Sequence, residues 1–215
     1  RQIQRLQALR EIDISIIGST DIYLSIRTVL EQILAQLHVD AANVLMLNSN
    51  NHTLKYIAGR GFHTKSIETT ELRFGQGIAW HAVYDHIVQH IPDMNNTTEN
   101  IVRQFLYLDE GFIEYYAIPL SAKGDTLGVL EIFNRQQRNL DSNELDFLNA
   151  LAGQTAIAID NSQLFLNLKR ANLDLINTYD TTIEGWSHAL DLRDKETEGH
   201  TRRVTELTLH LGHAA

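Results

Sequence analysis

The chain has 215 residues, no cysteine and a formal net charge of -9. The missing thiols exclude disulfides, thiolate metal sites, thiol nucleophiles and thioether attachment of a chromophore. The acidic balance argues against nucleic acid as the main partner, because a phosphate surface needs a concentrated basic face. No stretch reads as a signal peptide or a membrane span, so a soluble, cytoplasmic protein is expected.

In chain order, Arg1 to Ile17 reads as a helix ended by Gly18, and Ser19 or Thr20 caps a second helix running to about Leu37. Val44 to Leu47 and Leu54 to Ala58 form short apolar strands around a turn-forming Asn48 to His52, a hairpin pattern. Glycines at 59, 61, 75 and 77 punctuate the next stretch, and Gly75-Gln76-Gly77 feeds a short helix through Val83. Ile87 to Ile91 is a strand stopped by Pro92. A polar loop from Asp93 to Asn100 precedes a helix around Ile101 to Leu108. Ile113 to Leu120 and Leu127 to Phe133 give the clearest β signal, joined through Ser121 to Thr126 with Gly124 and Asp125 in the turn.

The longest pattern runs from Asp141 to Leu192 without proline, with Asp141 or Ser142 as N-cap and Glu144 in the first turn. As one helix it spans roughly 75 Å at ~1.5 Å per residue, too long for one small domain to cover. Ile159, Ser162, Leu166, Lys169, Leu173, Ile176, Asp180, Ile183, Ser187 and Leu190 keep heptad spacing. That seam predicts a homodimer through a coiled coil, its polar members making the packing weak and adjustable. A helix folded back on its own sheet is the alternative. Helices around an antiparallel sheet place the fold in the α+β class. The chain starts at Arg1 and stops at Ala215 inside an unfinished helical pattern, which reads as a piece of a longer protein.

Residues from about Asp21 to Phe165 resemble a GAF domain. The likeness is carried by Gly75-Gln76-Gly77-Ile78-Ala79, Val88-Gln89-His90-Ile91-Pro92-Asp93, Ala117-Ile118-Pro119-Leu120, Leu127-Gly128-Val129-Leu130-Glu131-Ile132 and the helix start Leu140-Asp141-Ser142-Asn143-Glu144. The resemblance implies an antiparallel sheet of five or six strands and a small-molecule pocket between the sheet and the segment from Arg73 to Asp109. Phe74, Trp80, His81, Phe105, Tyr115 and Tyr116 are the candidates for lining it, since aromatics offer apolar area with polar handles. The same rings also fit an ordinary core. The Asn134-Arg135 pair with Leu140 and Glu144 matches the cyclic-nucleotide-binding pattern of some GAF domains only in part, and no cysteine is present for a bilin. His81, His86 and His90 do not share one face, which disfavours a metal or haem site among them.

From Glu184 onward the chain resembles the opening of an HD-GYP domain, the bacterial phosphodiesterase class that hydrolyses cyclic di-GMP. Asp194, Thr197, Gly199, His200, Arg203 and Val204 carry the match. The resemblance implies that His200, and in some members Glu196, ligates a metal centre of iron or manganese that activates water. The His-Asp pair and the Gly-Tyr-Pro motif that name the family do not occur, so the chain by itself is expected to be inactive. Ser187-His188 is also similar to a histidine-kinase phosphoacceptor box, although Ala189 stands where that box carries glutamate. The expected organisation is an N-terminal helix over 1–20, a sensory domain over 21–165, a coiled-coil linker over 166–185 and the start of a phosphodiesterase domain over 186–215. A ligand-free dimerisation module is the competing expectation.

Overall fold

The computed structural model describes residues 22–96, 103, 109–193 and 200–214. The helices expected over Arg1 to Ile17 and around Ile101 to Leu108 lie outside that set, with only Arg103 of the second described. The chain divides into two compact units, residues 1–163 and 164–215.

In the first unit, helix α1 (Ile22–Leu37) buries Ile26, Val29, Leu30, Ile33 and Leu37. Their steps of three and four place them on one stripe. Six strands follow: β1 (Ala41–Asn48), β2 (Thr53–Arg60), β3 (Glu71–Arg73), β4 (Gln89–Ile91), β5 (Glu114–Ala122) and β6 (Asp125–Asn134). Helix α2 (Ile78–Asp85) lies between β3 and β4 in sequence. The sheet order is β3-β2-β1-β6-β5-β4, and each neighbouring pair is antiparallel. The fold is α+β, as the sequence predicts. Strand β3 was not anticipated; three residues between a 3-10 turn and Phe74 are too few to show an alternating pattern.

The β5–β6 connection is tighter than its sequence suggests. Ser121 pairs with Thr126 and Ala122 with Asp125, leaving a two-residue turn of Lys123 and Gly124. Both have positive φ, 54° and 94°. A two-residue turn of that hand matches the twist of the flanking strands. Gly128 has a different reason. A Cβ there would lie 2.3 Å from the Leu45 carbonyl oxygen of β1, so only glycine lets β6 run this close to its neighbour.

Each sheet face has its own core. Helix α1 and the first turns of helix α3 (Ser142–Arg193) cover one, packing Leu148, Leu151, Ala152, Ala156 and Ile159 against Val44, Ile118, Leu130 and Ile132. Helix α2 covers the other, packing Trp80 and Val83 with Leu45, Tyr115, Val129 and Phe133. Ile159 is fully buried in this domain core. It therefore serves domain packing and is not open to the heptad seam that the sequence pattern starts there.

Helix α3 runs unbroken for 52 residues. Asp141 and Glu144 form a reciprocal capping box: Glu144 N donates to Asp141 Oδ1 at 2.8 Å and Asp141 N to Glu144 Oε2 at 3.1 Å. In the second unit, Leu166, Leu173, Ile176, Ile183 and Leu190 of α3 are 47–60 % exposed. Helix α4 (His200–Ala214) likewise exposes Val204, Leu207 and Leu211. Among the described residues no helix is long and apolar enough to cross a membrane.

Candidate ligand-binding face and its link to the long helix

The turn before α2 is built by Gly75 and Gly77, with φ of 75° and 77°, and by Gln76, whose N donates to Arg73 O while its Oε1 accepts from Arg73 N. It delivers Phe74, Trp80, His81, Tyr84 and Asp85 around a surface depression of about 280 Å³. Trp80 is buried and donates from Nε1 to Leu72 O at 3.3 Å. Phe74 stands edge-on to it at 5.2 Å and to Tyr84 at 6.5 Å. Phe74 and Tyr84 are 63 % and 71 % exposed, an apolar aromatic surface with one carboxylate, Asp85, at its side. Such a surface offers a stacking platform for a flat molecule.

A polar centre lies on the same face of the sheet. Glu131 of β6 is fully buried. Its Oε1 accepts from Tyr115 Oη at 2.7 Å and its Oε2 from Asn43 Nδ2 at 2.9 Å. Arg103 closes it with a two-pronged contact, Nη1 to Oε2 at 3.0 Å and Nη2 to Oε1. Burial alone would raise the pKa of this carboxyl, but the charge of Arg103 and the three sets of donors outweigh it and hold the pKa below the ordinary value. Asn43 and Glu131 pair directly across β1 and β6. Because a carboxylate only accepts, Asn43 must turn its amide nitrogen to Glu131, and its Oδ1 is left buried without a donor among the described residues. An unmatched buried acceptor costs about 1–3 kcal/mol.

A second buried carboxylate ties the edge strand to the start of α3. Glu114 accepts from His90 Nε2 at 3.0 Å, Tyr116 Oη at 3.1 Å, Asn134 Nδ2 at 2.8 Å, Arg138 N at 3.1 Å and Asn139 N at 3.0 Å. Tyr116 Oη in turn accepts from Leu140 N at 3.1 Å, and its ring stacks on His90 at 4.0 Å. Arg138 Nη2 reaches Glu144 Oε1 at 2.8 Å, in the first turn of the helix. Burial works to raise the pKa of Glu114, yet Asn134, Asn139, His90 and Arg138 together lower it. Burial pushes the Tyr116 phenol up to about 12, reinforced by the Glu114 charge against the pull of the Leu140 N–H.

Of the predicted lining residues, Phe74, Trp80 and His81 meet at the depression. Tyr115 lies in the core of that face, against Phe133, bonded to Glu131. Tyr116 belongs to the core of the opposite face, because neighbours on a strand point to opposite sides; the two tyrosines cannot line one cavity. Phe105 and Glu196 lie outside the described residues. His200 is described only as the first residue of α4, and His188 is an exposed position on α3. Glu196 and His200 therefore offer an oxygen and a nitrogen donor by chemistry alone, a pair that fits iron or manganese.

The Asn134-Arg135 pair is engaged in the fold. Asn134 donates to Glu114. Arg135 lies 4.6 Å over the Phe112 ring, with Nε on Glu110 O at 3.0 Å and Nη2 on Glu110 Oε2 at 3.1 Å. Glu110 then holds His63 N and Thr64 N. His86 bonds Thr126 and His90 bonds Glu114. Sequence reading passed over Arg103, Asn43, Glu114 and Glu131. The available signal was a lone charge in an otherwise apolar strand, most visibly Glu131 between Leu130 and Ile132.

With this geometry in view, the comparisons are consistent. The GAF domain profile matches residues 24–160, and the chain belongs to the GAF domain family. Its fold is similar to the GAF domain of a phosphoenolpyruvate-protein phosphotransferase from Acinetobacter, at 18% identity and a TM-score of 0.65 over 76% of this chain and 98% of that one. The corresponding domain from Coxiella burnetii gives 19% identity and a TM-score of 0.67 over 75% and 96% of the two chains. A GAF domain/HD domain protein from Geobacter sulfurreducens gives 12% and 0.61, over 69% and 98%. No curated protein matches the chain significantly.

Proposed function

We propose that the chain is the sensory and transmitting part of a signalling protein. The GAF domain takes a small molecule on its α2 face and passes its state along α3 to a downstream HD-GYP domain that hydrolyses cyclic di-GMP. Residues 186–215 are the start of that domain. Glu196 and His200 supply two of its ligands for iron or manganese, and residues supplied from outside this chain complete the centre. The metal's contribution is to activate water for attack on phosphorus. The chain works as a homodimer along α3, and a ligand acts through its different affinity for two arrangements of that dimer.

The observation that carries this reading is the Glu114 cluster. One carboxylate joins edge strand β4, strands β5 and β6, and the backbone of residues 138–139 that leads into a single 52-residue helix. Displacement at the sheet edge is thereby tied to the helix start. The GAF domain/HD domain neighbour supports the downstream assignment at the level of domain pairing.

The second reading, a dimerisation module without ligand, is favoured by one observation: Arg103 already satisfies Glu131 on the α2 face. Mass spectrometry of the folded protein and a small-molecule thermal-shift screen separate the two. A compound that co-purifies or raises the melting temperature, and that changes cyclic di-GMP hydrolysis by the parent protein, supports sensing. No such compound favours the dimerisation module. The parent is expected to lose hydrolysis on Glu196→Ala or His200→Ala, whereas residues 1–215 alone show none; hydrolysis undisturbed in both variants would remove the phosphodiesterase assignment.

A further inference from the structure

We propose that Phe74, Trp80, Tyr84 and Asp85 form a cage for a quaternary ammonium group, so that the molecule taken on the α2 face carries a trimethylammonium of the choline type. The inference rests on the sensor reading and gives that face a ligand class.

The depression is shaped for a compact cation. Its volume of about 280 Å³ falls below the roughly 300–1,000 Å³ of pockets that enclose drug-sized ligands, which suits a headgroup better than a larger molecule. The Phe74 ring is inclined 66° to Trp80 and 78° to Tyr84, with centroids 5.2 Å and 6.5 Å away. Planes this steep wall a corner; they do not form the parallel pair that would sandwich a flat ring. A cation is drawn to a ring face within about 6 Å of its centroid, so at these spacings one cation can meet more than one ring.

The charge of the lining agrees. Asp85 is exposed, enters no ion pair among the described residues, and shares the lining with no lysine or arginine among them. An anion would therefore meet a carboxylate with no cation to offset it. Trp80 has already committed its Nε1–H to Leu72 O. Ring faces hold a positive charge without hydrogen bonds, which matches a quaternary ammonium, whereas a primary ammonium brings three donors that need acceptors. The net charge of -9 also favours approach of a cation.

The walls are set in advance and stand open. Phe74 is held by the Gly75-Gln76-Gly77 turn on one side and by the edge of His52 at 6.4 Å on another. At the far end of α2, directly after Tyr84 and Asp85, His86 takes φ 57° and bonds Thr126 Oγ1 from its ring at 2.7 Å. Phe74 and Tyr84 are largely exposed, unlike rings that serve a core. A site fixed in this way binds with little ordering cost.

Choline, ethanolamine and 3,3-dimethylbutan-1-ol are the probes, the second bearing a primary ammonium and the third being the neutral isostere of choline. Binding to the 215-residue chain is measured by calorimetry, with the choline methyl protons followed by NMR. Choline is expected to bind about tenfold tighter than either of the others, its methyl signal moved upfield by the ring faces. Phe74→Ala and Tyr84→Ala should each weaken it about tenfold, Asp85→Asn about threefold, and Tyr84→Phe less than about twofold. Sedimentation with phosphatidylcholine vesicles, reversed by choline, would assign the group to a lipid headgroup; choline binding without sedimentation would assign it to a free solute. Equal affinity for choline and its neutral isostere, affinity unchanged in both alanine variants, or no choline binding at all would overturn the cage. If choline binds as expected but neither it nor the vesicles alter the parent's hydrolysis, the cage stands and the sensor reading falls. If another chemical class binds and regulates while choline does not bind, the cage falls and sensing stands.

Discussion

Glu110, Glu114 and Glu131 are buried carboxylates, and in each case donors overcome a burial that by itself favours the protonated form. All three have folded-state pKa values below 4.5, the value each would have when unfolded. Their stabilisation is therefore fully present above that value and is lost as pH falls through the lower folded values. Urea midpoints should be flat from neutral pH down to about pH 5.5 and then fall steeply; a midpoint unchanged at pH 3.5 would contradict the assigned bonding. At the other end, the Tyr116 phenol near 12 favours the folded chain until the unfolded tyrosine ionises, so stability should decline again as pH rises from 10 through 12. Glu114→Gln replaces an acceptor of five donors with a side chain that offers only one accepting atom. A loss of about 2–4 kcal/mol is expected from urea unfolding. Tyr116→Phe, which leaves Leu140 N and one Glu114 lone pair unmatched, should cost about 1–2 kcal/mol.

At the scale of elements, Gly128 and α3 carry the sharpest expectations. Gly128→Ala sets a methyl group against backbone, not against a flexible side chain, so β1 and β6 must separate or the strand must bend. A loss of about 1–3 kcal/mol is expected in thermal or urea unfolding. For α3, burial distinguishes two uses of one continuous pattern. Leu148, Leu151, Ala152, Ala156 and Ile159 are covered by the domain, whereas Leu166, Leu173, Ile176, Ile183 and Leu190 are half exposed. Apolar positions repeated at heptad spacing and left open to water are what a second helix would cover. Light scattering should find a dimer for the native chain and mainly monomer for the Leu166→Lys, Leu173→Lys double variant. A dimer surviving both charges would place the interface elsewhere. Because these positions lie outside the first compact unit, circular dichroism of the variant should retain the sheet signal.

For the whole molecule, several elements were legible because their information is local. Nearly continuous apolar runs around a turn signal mark β5 and β6, helical spacing marks α1, and Asp141 with Glu144 announces the start of α3 before any fold is known. The ordered phrases around Gly75, Pro92, Pro119 and Gly128 carried the GAF resemblance. Local pattern also marked an uninterrupted helix from Asp141 to Leu192, and the structure carries it to Arg193. The candidate site was legible only in part. Phe74, Trp80 and His81 meet because one tight turn and one short helix place them together, so the short window from Phe74 to His81 contained the needed information. Alternation along β5 separates Tyr115 from Tyr116, but assigning each to its face requires knowing what packs on either side of the sheet. The central polar cluster was out of reach. Asn43 and Glu131 are 88 residues apart and meet only through the β1–β6 register, while Arg103 reaches Glu131 from 28 residues away. Sequence by itself determined the periodic elements and the order of the motifs, since backbone conformation and burial periodicity are set by near neighbours. Tertiary structure alone decided which buried charges would meet, because a carboxylate in a dry sheet is stable only where register and packing bring it its donors.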